Sequence, residues 1–251
     1  MASSLEPRSS SGDYVSEPPS RTPSPSSTGS STPEHRDPHK LPTFTSSSLT
    51  NPRAPILYLP PLLSSLPPQY PRHSHVPSST RTPKTTDTRL PDIDPASLAL
   101  HKALHNFGPA TDDYANTAYA DAFNWDELEL PEEEEREWYC VAFRSIRKPG
   151  SETGPLYEAD KLAHEEAIQN GGLIMYWYGI PDAETGLNLA TCIWQSRQHA
   201  IAANARPHHI RAMRLAVTSY EKYSLERYRL RKRKGESGVE VLEYGSGEVG
   251  W

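Results

Sequence analysis

Five side chains in the second half of the chain carry groups that could act on a small molecule: Trp177, Tyr178, Trp194, His199 and His208. His208 and His209 directly follow Pro207, which places them at the start of a helix. The positive end of a helix disfavours imidazolium, and a neutral imidazole can serve as a base or a ligand. His208 is therefore the candidate catalytic residue, with a pair of surface or capping histidines as the plainer reading. Trp177, Tyr178 and Trp194 offer planar surfaces that can stack on a flat ligand, although the same residues serve an ordinary core equally well. None of His164, His199, His208 and His209 has a spacing a metal demands, such as His at i and i+4 with a Glu, so no metal site is expected. A Gly-rich phosphate loop, a Ser-His-Asp order and a Cys-Cys zinc spacing are also missing, and no cofactor is expected.

These side chains need elements to position them. Trp138–Arg147 reads as a strand from its aromatic and apolar content. Leu156–Asn170 reads as a helix with Leu156, Ala159, Ala163 and Ala167 inward and Asp160, Lys161, Glu165 and Glu166 outward, stopped by Gly171-Gly172. Leu173–Ile180 and Asn188–Trp194 make a hairpin. A helix broken by Pro207 follows, with Ile210, Met213, Val217 and Tyr220 along one face of its second piece. Tyr223–Arg231 is the last strand. The order strand, helix, strand, strand, helix, strand predicts an α+β fold of ferredoxin-like β-α-β-β-α-β type.

Both faces of that sheet are apolar. Tyr139, Val141 and Phe143 oppose Trp138, Cys140, Ala142 and Ile146; Ile174, Tyr176 and Tyr178 oppose Leu173, Met175 and Trp177; Leu189 and Ile193 oppose Ala190, Cys192 and Trp194. A sheet with one face in water should alternate apolar and polar residues. The helices cover one face, so the other meets a second copy of the sheet, the upstream segment 54–130 or a ligand. A homodimer through the sheet face is the expected arrangement, since symmetric dimers are the commonest oligomers.

The rest of the chain is organised around this unit. Of the 25 prolines, 19 precede Ala96, while all five tryptophans lie from Trp125 onward. Residues 1–53 read as a long disordered Ser/Thr/Pro-rich N-terminal arm. Thr22, Ser24, Thr32 and Thr82 each precede a proline and are candidates for proline-directed phosphorylation. Residues 54–93 are an extended Pro-rich segment, and its apolar island 54–68 is expected to dock on the folded domain. Residues 94–134 form a helical lead-in, with Asp94-Pro95 as the start of a helix that presents Leu100, Ala103, Leu104 and Phe107. The ferredoxin-like domain spans 135–234, and 235–251 read as a flexible tail.

A net charge of −6 gives no prior for nucleic acid or an anionic membrane. The run Arg229-Leu-Arg-Lys-Arg-Lys234 is read as a strand end guarded by cations. No stretch is apolar enough to span a membrane, and the N-terminus lacks the apolar core of a secretory signal. Cys140 and Cys192 sit inside apolar runs and read as reduced core thiols. The expected location is cytoplasmic, with the nucleus as a second compartment.

The stretch Cys192-Ile-Trp-Gln-Ser-Arg-Gln-His-Ala-Ile-Ala-Ala-Asn-Ala-Arg-Pro-His-His-Ile-Arg-Ala-Met213 resembles the signature of the antibiotic-biosynthesis monooxygenase-like, dimeric α/β-barrel superfamily. Trp194, Ser196, Ala200, Pro207 and His208 fall on its pattern, and the resemblance covers about the last 100 residues. It implies a small aromatic, polyketide-like or haem ligand, and in some members oxidation with no conventional cofactor. Haem-degrading members use an Asn, a Trp and a His. Trp177 or Trp194 and His199 or His208 fit two of these, but Trp138–Arg147 has no Asn for the third, which argues against haem degradation. The core from Glu135 to Tyr228 also resembles a fungal family of uncharacterised proteins with a disordered N-terminus, a resemblance that implies no activity. Two readings stay open: a small-molecule-binding barrel, catalytic or not, and a non-enzymatic interaction module with a phospho-regulated arm.

Overall fold

In the computed structural model, residues 37–42, 54–60, 94–152 and 154–245 are described, and all belong to the unit Asp37–Trp251. The proposed phosphorylation sites and the island beyond Pro60 lie outside the described residues. The spine of the fold is β2 (Arg136–Arg147), whose Trp, Tyr, Val, Phe and Ile suit a pleated, two-sided surface. It pairs antiparallel with β4 (Leu187–Trp194) on one side and β5 (Tyr220–Lys232) on the other. β3 (Leu173–Tyr178) lies outside β4, and β1 (Ile56–Tyr58) lies outside β3. β6 (Val239–Glu243) pairs with the end of β5. The result is a mixed α+β fold on a six-stranded antiparallel sheet in the order β1-β3-β4-β2-β5-β6.

Two of these strands add to those the sequence predicts. Residues 239–243, read as tail, alternate Val, Glu, Val, Leu, Glu and add a strand to the edge of β5. Ile56–Tyr58 of the apolar island pairs with β3 through Ile56 opposite Tyr178 and Tyr58 opposite Tyr176. Short contacts pin this strand further: Leu59 N donates to Pro38 O at 2.6 Å, and His101 Nε2 lies 3.0 Å from Pro60 O.

Three helices lie on one side of the sheet. α3 (Gly154–Asn170) ends where Gly171 and Gly172 take φ of 87° and 86°, a conformation that favours glycine. Gly172 is required twice over, because a Cβ there would stand 2.2 Å from the His199 ring. α4 (Arg197–Asn204) and α5 (Pro207–Ser219) are the two pieces that Pro207 separates. Glu166 of α3 accepts from the backbone N–H of His208 at 2.8 Å and of His209 at 3.2 Å, so an α3 carboxylate caps α5. Glu166 was expected outward, and it faces the neighbouring helix. The predicted apolar stripe of α5 is also not a core stripe: Met213 is 43% exposed and Val217 77%.

The chain covers the opposite face itself. α1 (Pro95–Ala103) starts at Asp94, whose carboxylate accepts from Ser97 N at 2.9 Å. Leu100, Leu104, Phe107, Tyr119, Phe123, Trp125 and Leu128 pack on Trp138, Cys140, Met175, Trp177, Leu189, Ile193 and Leu230. Polar tips within this layer are matched. Trp138 Nε1 donates to Ser97 Oγ at 2.8 Å, and Tyr119 Oη lies 2.6 Å from Thr191 Oγ1. The segment expected as a helical lead-in is thus a cover, with helix only at α1, α2 (Tyr119–Ala122) and short 3₁₀ turns. This corrects the expectation of a homodimer through the sheet face, because residues 96–130 fill that face.

The basic run at the end of β5 is held by acids and carbonyls. Arg231 Nε lies 2.6 Å from Glu137 and Arg233 lies 2.7 Å from Glu240. Lys232 is fully buried, and its ammonium donates to the carbonyls of Glu134, Arg233 and Glu236.

Candidate ligand cavity

The helix-bearing face of the sheet is not closed as tightly as the other. Strand register aligns Tyr178, Ala190, Phe143 and Leu225 in one row and Tyr176, Cys192, Val141 and Arg227 in the next. Between these rows and the three helices lies a cavity of about 300 Å³. Its walls are largely aromatic and aliphatic, as in small-molecule sites. Across its floor, Tyr176 and Tyr178 stack with ring centroids 4.2 Å apart.

Of the sequence candidates, Tyr178 and Trp194 line this cavity. Trp177 does not. It lies on the other face with edge contacts to Tyr114 and Phe123, at 5.1 Å and 4.9 Å between centroids. Successive residues of a strand point to opposite faces, so Trp177 and Tyr178 cannot share a wall. His199 and His208 are not among the lining residues. His199 sits over Gly172 with Nδ1 2.9 Å from Ser196 Oγ, and burial, followed by nearby Arg136, lowers its pKa. His208 is present at the helix cap through its backbone.

The polar groups that do face the cavity are others. On α3, Asp160 and His164 stand at i and i+4 within the inward stripe of Leu156, Ala163 and Ala167. Tyr178 Oη lies 3.4 Å from Asp160 Oδ2 and 3.1 Å from His164 Nδ1. Burial pushes the Asp160 carboxyl up to about 6, against the Tyr178 hydrogen bond that lowers it. Burial takes His164 down to about 3, so its imidazole is neutral. Burial, then the Asp160 charge, raises the Tyr176 and Tyr178 phenols well above their usual range. The Cys192 thiol is pushed up to about 12 by burial, which removes it as a nucleophile near neutrality.

Four buried polar atoms with no hydrogen bond among the described residues belong to lining residues: Arg147 Nη1, His164 Nε2, Asn188 Oδ1 and His209 Nδ1. Arg136 Nε, elsewhere, is another. Leaving such atoms without partners costs about 1–3 kcal/mol each. The rim is apolar and accessible. The large exposed apolar residues among those described are Ile201, Met213, Val217, Tyr223 and Leu225, and all except Val217 line the cavity.

No group of three or more His, Cys, Asp or Glu among the described residues is arranged to hold a metal ion. No helix among them is long and apolar enough to cross a membrane.

The fold and cavity define an α+β protein with one sheet face sealed by its own chain and the other enclosing a small polar-tipped chamber. The chain belongs to the PB2B2.08-like family, which it matches over residues 79–243. It is 36% identical over 197 residues to UPF0643 protein PB2B2.08 of Schizosaccharomyces pombe (strain 972 / ATCC 24843), across 66% of this chain and 86% of that protein. Among solved structures it is similar to a provisionally assigned antibiotic biosynthesis monooxygenase from Nitrosomonas europaea, at 15% identity and a TM-score of 0.32, over 36% of this chain and 95% of that one. It is also similar to SnoaB, a cofactor-independent oxygenase from Streptomyces nogalater, at 9% identity and a TM-score of 0.32, over 40% of this chain and 99% of that one.

Proposed function

We propose that this protein binds a small, flat, largely apolar molecule in the cavity between the helices and the sheet. The observation that carries this reading is the set of four orphaned polar atoms that belong to residues lining a largely apolar cavity. A core optimised for stability alone buries such groups with partners. A binding site keeps a few of them to orient its ligand. The accessible apolar rim at Ile201, Met213, Tyr223 and Leu225 supports entry from the side of α4, α5 and β5. The strand order β3-β4-β2-β5 supports a ferredoxin-like core, with the helix-side chamber in place of a sheet-face interface.

Native mass spectrometry of protein isolated from its own cells tests this reading. The expected result is a mass increment retained under gentle conditions and lost from an Ala163→Trp variant, whose indole fills the chamber. A wild-type protein with no increment, and no affinity for planar aromatic probes, would sink the proposal.

A further inference from the structure

One end of the cavity holds a hydrogen-bonded chain of three groups. His164 Nδ1 lies 3.1 Å from Tyr178 Oη, and Tyr178 Oη lies 3.4 Å from Asp160 Oδ2. The other ring nitrogen, His164 Nε2, is buried and makes no hydrogen bond among the described residues. Tyr178 has a single hydroxyl proton, and a neutral imidazole has a single N–H. The protons can therefore run along the chain in two directions. With Asp160 ionised, Tyr178 donates to the carboxylate, His164 donates from Nδ1 to the Tyr178 oxygen, and Nε2 is left as a bare acceptor. With Asp160 protonated, the carboxyl donates to Tyr178, Tyr178 donates to Nδ1, and Nε2 carries the hydrogen.

Resting on the cavity reading above, we infer that His164 Nε2 accepts the proton of a ligand that carries a weakly acidic O–H or N–H, with Tyr178 and Asp160 as positioning residues that carry the charge away. The transfer balances. The ligand proton moves to Nε2, the Nδ1 proton moves to the Tyr178 oxygen, and the Tyr178 proton moves to Asp160. One negative charge leaves the carboxylate and appears on the ligand, while the imidazole ends neutral in its other tautomer.

The surroundings suit a relay that never creates an imidazolium. His164 is flanked by Tyr58 and Tyr176, with ring centroids at 4.6 Å and 5.2 Å. Asp160 acts electrostatically on Tyr157, Tyr176, Tyr178, Tyr220 and Tyr223. Burial holds His164 neutral and brings the carboxyl close to neutrality, so both directions of the chain are accessible near physiological pH.

The test compares 2-naphthol with 2-methoxynaphthalene, which has the same rings and no acidic hydrogen. Calorimetry at pH 7.5 on the full chain should give about tenfold tighter binding of the naphthol, the worth of one hydrogen bond to an otherwise orphaned nitrogen. Fluorescence of the bound naphthol should show naphtholate emission. In Tyr178→Phe and in Asp160→Asn the preference for the naphthol over the ether and the naphtholate band should both fall. At pH 5 the wild-type preference should fade, because Nε2 then carries the hydrogen. Equal binding of the two probes at pH 7.5 overturns proton acceptance and leaves the cavity reading standing. Binding of neither probe overturns both. Equal losses for the two probes in Tyr178→Phe would mark a packing role and also overturn the relay.

Discussion

The two faces of the sheet are built from similar residues and solve opposite problems. On one face, Trp138, Met175, Trp177, Leu189 and Ile193 meet a cover layer whose polar tips are matched one by one. On the other, Tyr139, Tyr176, Tyr178 and Trp194 meet helices that stand off far enough to leave about 300 Å³ and four unmatched polar atoms. Aromatic content therefore says nothing about which face binds. Polar bookkeeping does: beside the sealed face Arg136 Nε alone among the orphaned atoms described above lacks a partner, while residues of the open face keep four.

Substitutions that strike one face and spare the other would break or sharpen this contrast. The largest effect is expected at Trp177 on the sealed face. Trp177→Ala should cost about 3–5 kcal/mol in chemical denaturation and leave 2-naphthol affinity per folded molecule within about threefold. A loss of affinity with little loss of stability would reverse the assignment of the two faces.

Acid should come next. Burial holds His164 at about 3 and His101, beneath the cover, at about 4. Both are depressed below the unfolded value of about 6.5, so their stabilisation is present above that pH and is lost as the pH falls toward the folded values. Urea melts of Asp160→Asn, which lacks the opposing carboxyl treated below, should show several kcal/mol lost between about pH 7 and pH 4. A flat profile would show that neither histidine is buried as described.

Asp160 has the opposite sign. Its folded pKa of about 6 lies above the ordinary carboxyl value of 3.8, so its contribution is fully present below about 4 and is lost as pH rises through 6. Asp160→Asn should therefore be more stable than wild type at pH 8 by about 1–3 kcal/mol, and the difference should vanish near pH 4. No gain at pH 8 would mean that the carboxylate is solvated through the cavity.

The smallest stability change belongs to Tyr178→Phe. One hydroxyl in a chain that already has an open end should cost less than about 1 kcal/mol. A melting point far below wild type would show that the chain is structural.

Much of this architecture was legible before the fold. The order of β2, α3, β3, β4 and β5 follows from period and turn residues, and the double-sided apolar pattern foretold that the sheet needed a cover. Three things escaped for physical reasons. A register shift between Leu173 and Met175 puts Leu173 with Tyr176, and Ile174 with Met175 and Trp177, so strict alternation assigned the start of β3 to the wrong faces. Asp160 and His164 were passed over because charge on a helix usually means solvent. Their spacing of four inside the Leu156, Ala163, Ala167 stripe was the available signal. Residues 239–243 are short and flanked by glycines, and only the edge of β5 makes a strand of them.

The cover layer also sets an order of events. Leu100, Leu104 and Phe107 precede every strand of their own floor, from β2 through β5, along the chain. At about 5–20 residues per second of synthesis, roughly five to twenty seconds separate the emergence of that apolar stretch from the strand that completes the sheet beneath it. During that interval, the nascent chain displays a sticky segment with nowhere to bury it. Helpers that shield young polypeptides should therefore meet this protein first at residues 96–130.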